Sequence, residues 1–200
     1  MKEVIIQGNY GNAVYWAEYI PSSDAMTLFQ TLVNDLHWQS RDIQMFGKTF
    51  KQPRLIAWMA DKGVHYTYSK TTFTASPWHK DVLELKDQIE YKTGYRFNAV
   101  LINYYRDGND SMGWHRDNEK EIDKDSHIAS LSLGAERFFH FRQYTERSNK
   151  HKILLRSGSL LVMDRLLQDH WEHQLPKTKS VLNGRINLTF RLIKNISKKK

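Results

Sequence analysis

The sequence predicts an α+β protein that is mainly β, with its helices near the N-terminus and its strands in the second half. Three observations carry that expectation. Two stretches before residue 96 repeat apolar residues at helical spacing. From Phe97 onward, short apolar runs recur and are separated by turn signals. The last run, Arg185 to Ile193, sets Arg185, Asn187, Thr189 and Arg191 in strict alternation with Ile186, Leu188, Phe190 and Leu192, a period of two that reads as a strand.

The first helix starts at Pro21-Ser22-Ser23-Asp24, after which Phe29, Leu32, Val33 and Leu36 share a face. The second starts at Ser76-Pro77, a capping residue followed by proline at the first helical position. Its apolar face is Trp78, Val82, Leu85 and Ile89, and Gly94 stops it. Both are expected to cover a sheet rather than carry chemistry. The strands are placed at Asn98 to Tyr105, Ile128 to Leu133, Arg137 to Arg142, Lys152 to Leu155, Ser159 to Asp164 and Arg185 to Ile193. Turns fall at Asp107-Gly108-Asn109, Gly134, Glu146 to Asn149 and Ser157-Gly158. Short strands at this spacing suggest a sandwich or jelly roll.

Two hundred residues suit one domain with a real core. The chain has no cysteine, which excludes disulfides, thiolate catalysis and cysteine-based zinc sites and fits a reducing compartment. Nothing reads as a membrane span or a secretory signal. The expectation is a monomer in a bacterial cytoplasm working at the nucleoid, or in the nucleus of a eukaryote. A formal charge of +8 favours a polyanionic partner, most simply nucleic acid, although Lys198-Lys199-Lys200 supplies three of those charges from a solvated tail.

Any metal must therefore use His, Asp or Glu. His115 and Asp117 are two apart, so on an extended segment both side chains leave the same face and can grip one ion. One more histidine completes a 2-His-1-carboxylate triad, which leaves coordination positions open. His170 and His173 both qualify, and spacing does not choose between them. His127 and His140 read as ordinary sheet residues. If the polar face of the Arg185 strand points inward, its guanidinium groups need an anion, because a buried unpaired charge is too costly. A dicarboxylic acid suits them, since each planar fork holds a carboxylate through two hydrogen bonds.

His115-x-Asp117, the later His173 in a His-x-Leu-Pro setting, Asn103-Tyr104-Tyr105, and Arg185-x-Asn187-x-Thr189-x-Arg191 together resemble the AlkB family over residues 40 to 193. The likeness is greatest to the branch that repairs double-stranded DNA, in Gln44-Met45-Phe46-Gly47-Lys48, Pro53-Arg54, Tyr66-Thr67-Tyr68-Ser69, Gly158-Ser159-Leu160-Leu161 and His170 to His173. The resemblance implies a double-stranded β-helix (jelly roll) at residues 97–193. Residues 1–96 would be an N-terminal extension and nucleotide-recognition region with its helices packed outside, and 194–200 a basic tail.

The resemblance also implies Fe(II), 2-oxoglutarate and O2, and it selects His173 as the third metal ligand. Asn103, Tyr105, Arg185, Asn187 and Arg191 would hold 2-oxoglutarate. The reaction implied is oxidative demethylation of N-alkylated bases in DNA, releasing formaldehyde and succinate, with the base flipped out of a duplex; single-stranded DNA is an additional substrate. The other readings are the same iron chemistry on RNA or a non-nucleic-acid substrate, and a DNA-binding barrel without catalysis. Tyr68 and the His115 ring would sandwich the base, and Tyr66 and Glu119 would meet its edge. Phe46 would fill the gap in the stack, and Lys48, Lys51 and Arg54 would contact phosphates. Tyr104 and Asn118 depart from the family pattern and are expected near the pocket, as is Trp114.

Overall fold

The strand pattern read after residue 97 is present, and it begins earlier in the chain than its alternation announces. The computed structural model describes residues 2–45, 48–64, 66–68, 71–73 and 75–194, without the side chains of 43–45, 48, 66–68 and 71–73. In chain order the elements are β1 (Lys2–Ile6), β2 (Ala13–Trp16), α1 (Ser22–Asp35), β3 (Asp42–Met45), β4 (Lys48–Lys51), β5 (Leu55–Ala60), β6 (Tyr66–Tyr68), β7 (Thr71–Phe73), α2 (Lys80–Thr93), β8 (Ala99–Tyr105) and β9 (Met112–His115). There follow β10 (Ile128–Gly134), β11 (Arg137–Gln143), β12 (Lys150–Leu155), β13 (Leu160–Met163), α3 (Arg165–His170), β14 (Trp171–Leu175) and β15 (Arg185–Arg191).

Seven strands form an antiparallel sheet in the order β1-β2-β13-β10-β15-β8-β5, and four form a second in the order β12-β11-β14-β9. Ile6, Tyr15, Phe141, Leu155, Leu161 and Trp171 make an apolar core drawn from both sheets. On the other face of the larger sheet, Leu32 of α1 and Val82, Leu85 and Ile89 of α2 pack with Val100, Ile102, Leu131, Ile186, Leu188 and Phe190. The helices thus cover the sheet, as their apolar stripes require. Emptying the fully buried Leu32 position by Leu32→Ala would cost about 2–5 kcal/mol. Among the described residues, no helix is long and apolar enough to cross a membrane.

Two expectations need correction. The second helix does not begin at Ser76-Pro77: Ser76 N–H donates to the Trp58 carbonyl at 3.0 Å, which ties it to the edge of β5. The helix starts at Lys80 instead, and His79 caps it by accepting from Asp81 N–H. Gly94 does end it, in the left-handed conformation (φ 77°) that favours glycine. The division at residue 96 is not a boundary of the sheet, because β1, β2 and β5 are members of it. Strand β5, Leu-Ile-Ala-Trp-Met-Ala, is a continuous apolar run, and a strand buried on both faces has no alternation to read.

Candidate metal and co-substrate site

Register places the two imidazoles. His173 of β14 lies directly opposite His115 of β9, so both side chains leave the same face of the smaller sheet. Their rings stand 4.3 Å apart at 72°. Asp117 follows His115 by two residues and turns in beside them. One donor atom from each of the three lies within 4.8 Å of the others. His170, the alternative third ligand, ends α3 with its ring 5.1 Å from Tyr10 and is not in the cluster.

The local electrostatics suit a metal. His115 Nδ1 faces the Gly113 carbonyl at 2.8 Å, so this nitrogen carries the proton and Nε2, 3.9 Å from Asp117 Oδ1, keeps its lone pair. His173 Nδ1 is buried and has no hydrogen-bond partner among the described residues, a state that calls for an explanation. Burial pushes His173 down to about 3, with the neighbouring His115 adding to it; burial also lowers His115. Burial alone would raise Asp117, but Arg191, joined by the two imidazoles once they are protonated in acid, outweighs it and holds the carboxyl well below the usual range. Neutral imidazoles and an ionised carboxylate are the protonation states a divalent cation needs. Two nitrogens and one carboxylate fit iron(II), with positions left over for other ligands.

The larger sheet faces this trio across one cavity, lined by Asn103, Tyr105, Arg185, Asn187, Thr189 and Arg191 together with the metal-site side chains. Register again explains the grouping: Arg185 opposes Tyr105, and Asn187 opposes Asn103. The alternating polar face of β15 therefore points inward. Arg191 Nη2 is 2.9 Å from Asp117 Oδ1, which sets this guanidinium beside the candidate metal ligands. Arg185 is 2% exposed and donates to Ser132 Oγ at 2.9 Å. Its Nε has no partner among the described residues, and none of the described carboxylates pairs with it. Burial lowers its pKa to about 10, still charged at neutral pH. A buried cation of this kind asks for an anion. Asn187 is more committed than expected, since its amide donates to Ser130 Oγ and the Leu131 carbonyl and accepts from Thr189 Oγ1.

Other expected residues fall differently. Arg54, expected at a phosphate, is 5% exposed and donates through Nε to Asn103 Oδ1 at 2.7 Å, so it is an internal residue. Tyr104 points to the helical side, against Phe29 and Trp38, because it alternates with Asn103 and Tyr105. Asn118 is exposed. Trp114 stacks under Arg142 at 4.2 Å on the face opposite His115, so neither it nor Tyr104 shapes the pocket. Trp58 is buried in β5. His140 is in β11, whereas His127 precedes β10 and stacks on Tyr95 at 3.5 Å. Glu119 is half-buried just beyond Asp117. Phe46 lies outside the described residues, as do the side chains of Tyr66 and Tyr68 on β6.

Three supporting residues had no sequence signal. Gln168 is fully buried and accepts the Asp117 N–H at 3.1 Å; Arg165 donates to the Asp117 carbonyl at 3.2 Å; Ser132 receives Arg185. Gln168 and Arg165 sit on the six-residue helix α3, too short to show a period.

A metal trio of this composition, opposed by buried guanidinium groups, defines the oxygenases that combine iron(II) with a dicarboxylic keto acid. A family model described as the 2OG-Fe(II) oxygenase superfamily matches residues 12–191. The chain is 39% identical over 187 residues to alpha-ketoglutarate-dependent dioxygenase alkB homolog 3 of Bos taurus, covering 88% of this chain and 64% of that protein. It is 39% identical over 181 residues to DNA oxidative demethylase ALKBH2 of Homo sapiens, covering 86% of this chain and 69% of that protein. The chain thus spans somewhat under two thirds of the bovine relative's length. The solved structure of OsALKBH1 superimposes with a TM-score of 0.65 at 16% identity, over 95% of this chain and all of that one, and shares the fold. The chain belongs to the AlkB family of 2-oxoglutarate–iron(II) oxygenases, whose cofactors are Fe(II), 2-oxoglutarate and O2.

Proposed function

We propose that the protein is an oxidative demethylase of N-alkylated bases in DNA. One observation carries the reading: a single cavity joins the His115, Asp117 and His173 donors to the buried, anion-seeking Arg185 and to Arg191. The name of the human relative, DNA oxidative demethylase ALKBH2, and the charge of +8 support DNA as the substrate. The two facing sheets are read as the double-stranded β-helix of the family.

In this reading His115, Asp117 and His173 hold iron(II), and Arg185 and Arg191 engage the carboxylates of 2-oxoglutarate with help from Asn103, Tyr105 and Asn187. Arg191, beside Asp117, serves the end of the co-substrate nearer the metal, and Arg185 the distal carboxylate. Bound iron, 2-oxoglutarate and O2 supply the oxidant that hydroxylates an N-methyl carbon. The hydroxymethyl adduct then collapses, the N–C bond breaking to release formaldehyde and leave the unmethylated base in the DNA. The chain's own work is binding and exclusion of water: the buried walls keep the arginines poorly hydrated and therefore strong.

The damaged base reaches the site by flipping from the stack, with Tyr68 and the His115 ring as its walls and Tyr66 and Glu119 at its edge. Strands β3 and β4 pair with Met45 opposite Lys48, and Phe46 falls between them in sequence, as the residue that fills the vacated stack would. Lys48 and Lys51 on β4 supply salt-dependent phosphate contacts. The protein is read as a monomer that works where the DNA is, in the bacterial nucleoid or the nucleus.

The test is anaerobic loading with iron(II) and 2-oxoglutarate, then air, with a duplex carrying one 1-methyladenine. Formaldehyde and succinate appear together, and both are lost in Asp117→Ala. Succinate without formaldehyde would discard the DNA substrate while keeping the oxygenase. With the same lesion placed in a duplex and in a single strand, Phe46→Ala lowers turnover on the duplex more than on the single strand.

A further inference from the structure

We infer that Arg54 is a positioning residue of the 2-oxoglutarate pocket, which fixes the side-chain amide of Asn103 with its NH2 turned into the cavity. The inference rests on the dioxygenase reading above.

The argument begins with register. Ile56 of β5 lies opposite Asn103 of β8, and Arg54, two residues earlier, reaches the same neighbour from the end of the strand. Its Nε is 2.7 Å from Asn103 Oδ1, and its Nη1 approaches the Ser111 carbonyl at 3.4 Å. Both partners are neutral. Among the described residues no carboxylate forms an ion pair with Arg54. A guanidinium only donates, so the Asn103 atom facing it must be the oxygen. The flipped amide would set N–H against N–H across 2.7 Å, and the usual ambiguity of an asparagine side chain is removed.

The consequence lies on the other side of the amide. Asn103 lines the cavity, and its nitrogen donates to no group among the described residues. With the oxygen held by Arg54, that N–H pair is what remains to meet an anion beside Arg185 and Arg191. Without Arg54 the amide can turn over and offer a carbonyl to a carboxylate, which repels it. Arg54 therefore acts on the co-substrate through Asn103 and needs no contact with it. A surface role at a DNA phosphate does not fit a side chain that is 5% exposed and bound to two internal acceptors.

The experiment measures 2-oxoglutarate binding without turnover. Anaerobic protein loaded with iron(II) is titrated with 2-oxoglutarate, and the visible charge-transfer absorption of the chelate is followed. The proteins are wild type, Arg54→Ala, Asn103→Ala and the double variant. Arg54→Ala is expected to weaken binding about tenfold, the usual scale for one hydrogen bond to a charged group. The double variant should bind no more weakly than Asn103→Ala alone, because Arg54 has nothing left to orient. If Arg54→Ala does not fold, Arg54→Lys keeps the charge but loses the planar Nε–H, and it should show the same non-additive loss.

Strictly additive losses would overturn the inference. So would unchanged 2-oxoglutarate affinity with weaker DNA binding and a salt slope reduced by about one, the signature of a phosphate contact. A wild-type protein that develops no absorption band overturns the dioxygenase reading and this inference with it.

Discussion

Arg191 Nη2 lies 2.9 Å from Asp117 Oδ1, with side chains 4% and 5% exposed, so the candidate metal carboxylate just past β9 and the last arginine of β15 form one buried ion pair. The pair fixes Asp117 as an anion and joins the candidate metal site to the proposed co-substrate site. Removing one member of such a pair leaves the other charged and buried.

Asp117→Ala is therefore expected to abolish iron binding and also to destabilise the metal-free protein by about 3 kcal/mol. Asp117→Ala combined with Arg191→Met should recover most of that stability and none of the activity. Urea denaturation of the metal-free proteins decides it; a double variant no more stable than the single would mean that the pair contributes little.

Gln168 receives the Asp117 N–H from within the core and so sets the backbone that aims the carboxylate. Gln168→Ala should weaken iron(II) affinity by roughly tenfold or more, as losses of outer partners of metal ligands do. Competition with a chelator would measure it. An unchanged affinity would reduce Gln168 to packing.

Arg185 has no carboxylate partner among the described residues, so its stability and its function pull in opposite directions. Arg185→Met is expected to leave the metal-free fold as stable as wild type or more so, because a buried unpaired cation is removed. It should raise the KM for 2-oxoglutarate by about a hundredfold while DNA affinity is unchanged. Loss of DNA binding in this variant would contradict the assignment of Arg185 to the co-substrate.

His127 stacks on Tyr95 at 3.5 Å, and burial lowers its pKa from the ordinary 6.5, with Asp164 opposing the shift. The unfolded chain thus takes up a proton on this ring before the folded protein does as pH falls through 6.5. Below that value the unfolded state binds more protons, and stability declines with falling pH until the folded ring also titrates. Denaturation of the metal-free protein at pH 7 and pH 5 should show this decline, and His127→Asn should make it shallower. Identical pH slopes would mean that the ring titrates alike in both states.

Much was legible because the relevant patterns are periodic or local. The alternation of Arg185 to Leu192 is the pattern of one strand, and the inward turn of its polar face follows from having apolar residues to bury on the other. His115-x-Asp117 is local geometry. The helical stripes of α1 and α2 were readable because one side meets the sheet and the other meets water. Strands β5 and β2 were not: one has no polar side to alternate with, and the other is four residues long. Gln168 and Arg165 could not be found either, for their roles arise from a six-residue helix packed beneath a loop fifty residues away.

The sequence by itself determined the donor types, the spacing of one metal pair, the strand that carries the arginines, and the charge that favours a polyanion, because these depend on residue identity and local period. Tertiary structure alone decided the rest. Strand register set His173 rather than His170 beside His115, and it set Tyr105 and Asn103 opposite Arg185 and Asn187. It also turned Arg54 from the surface into the core. Register is a relation between distant segments, fixed by which faces can be buried together, and no local stretch of sequence contains it.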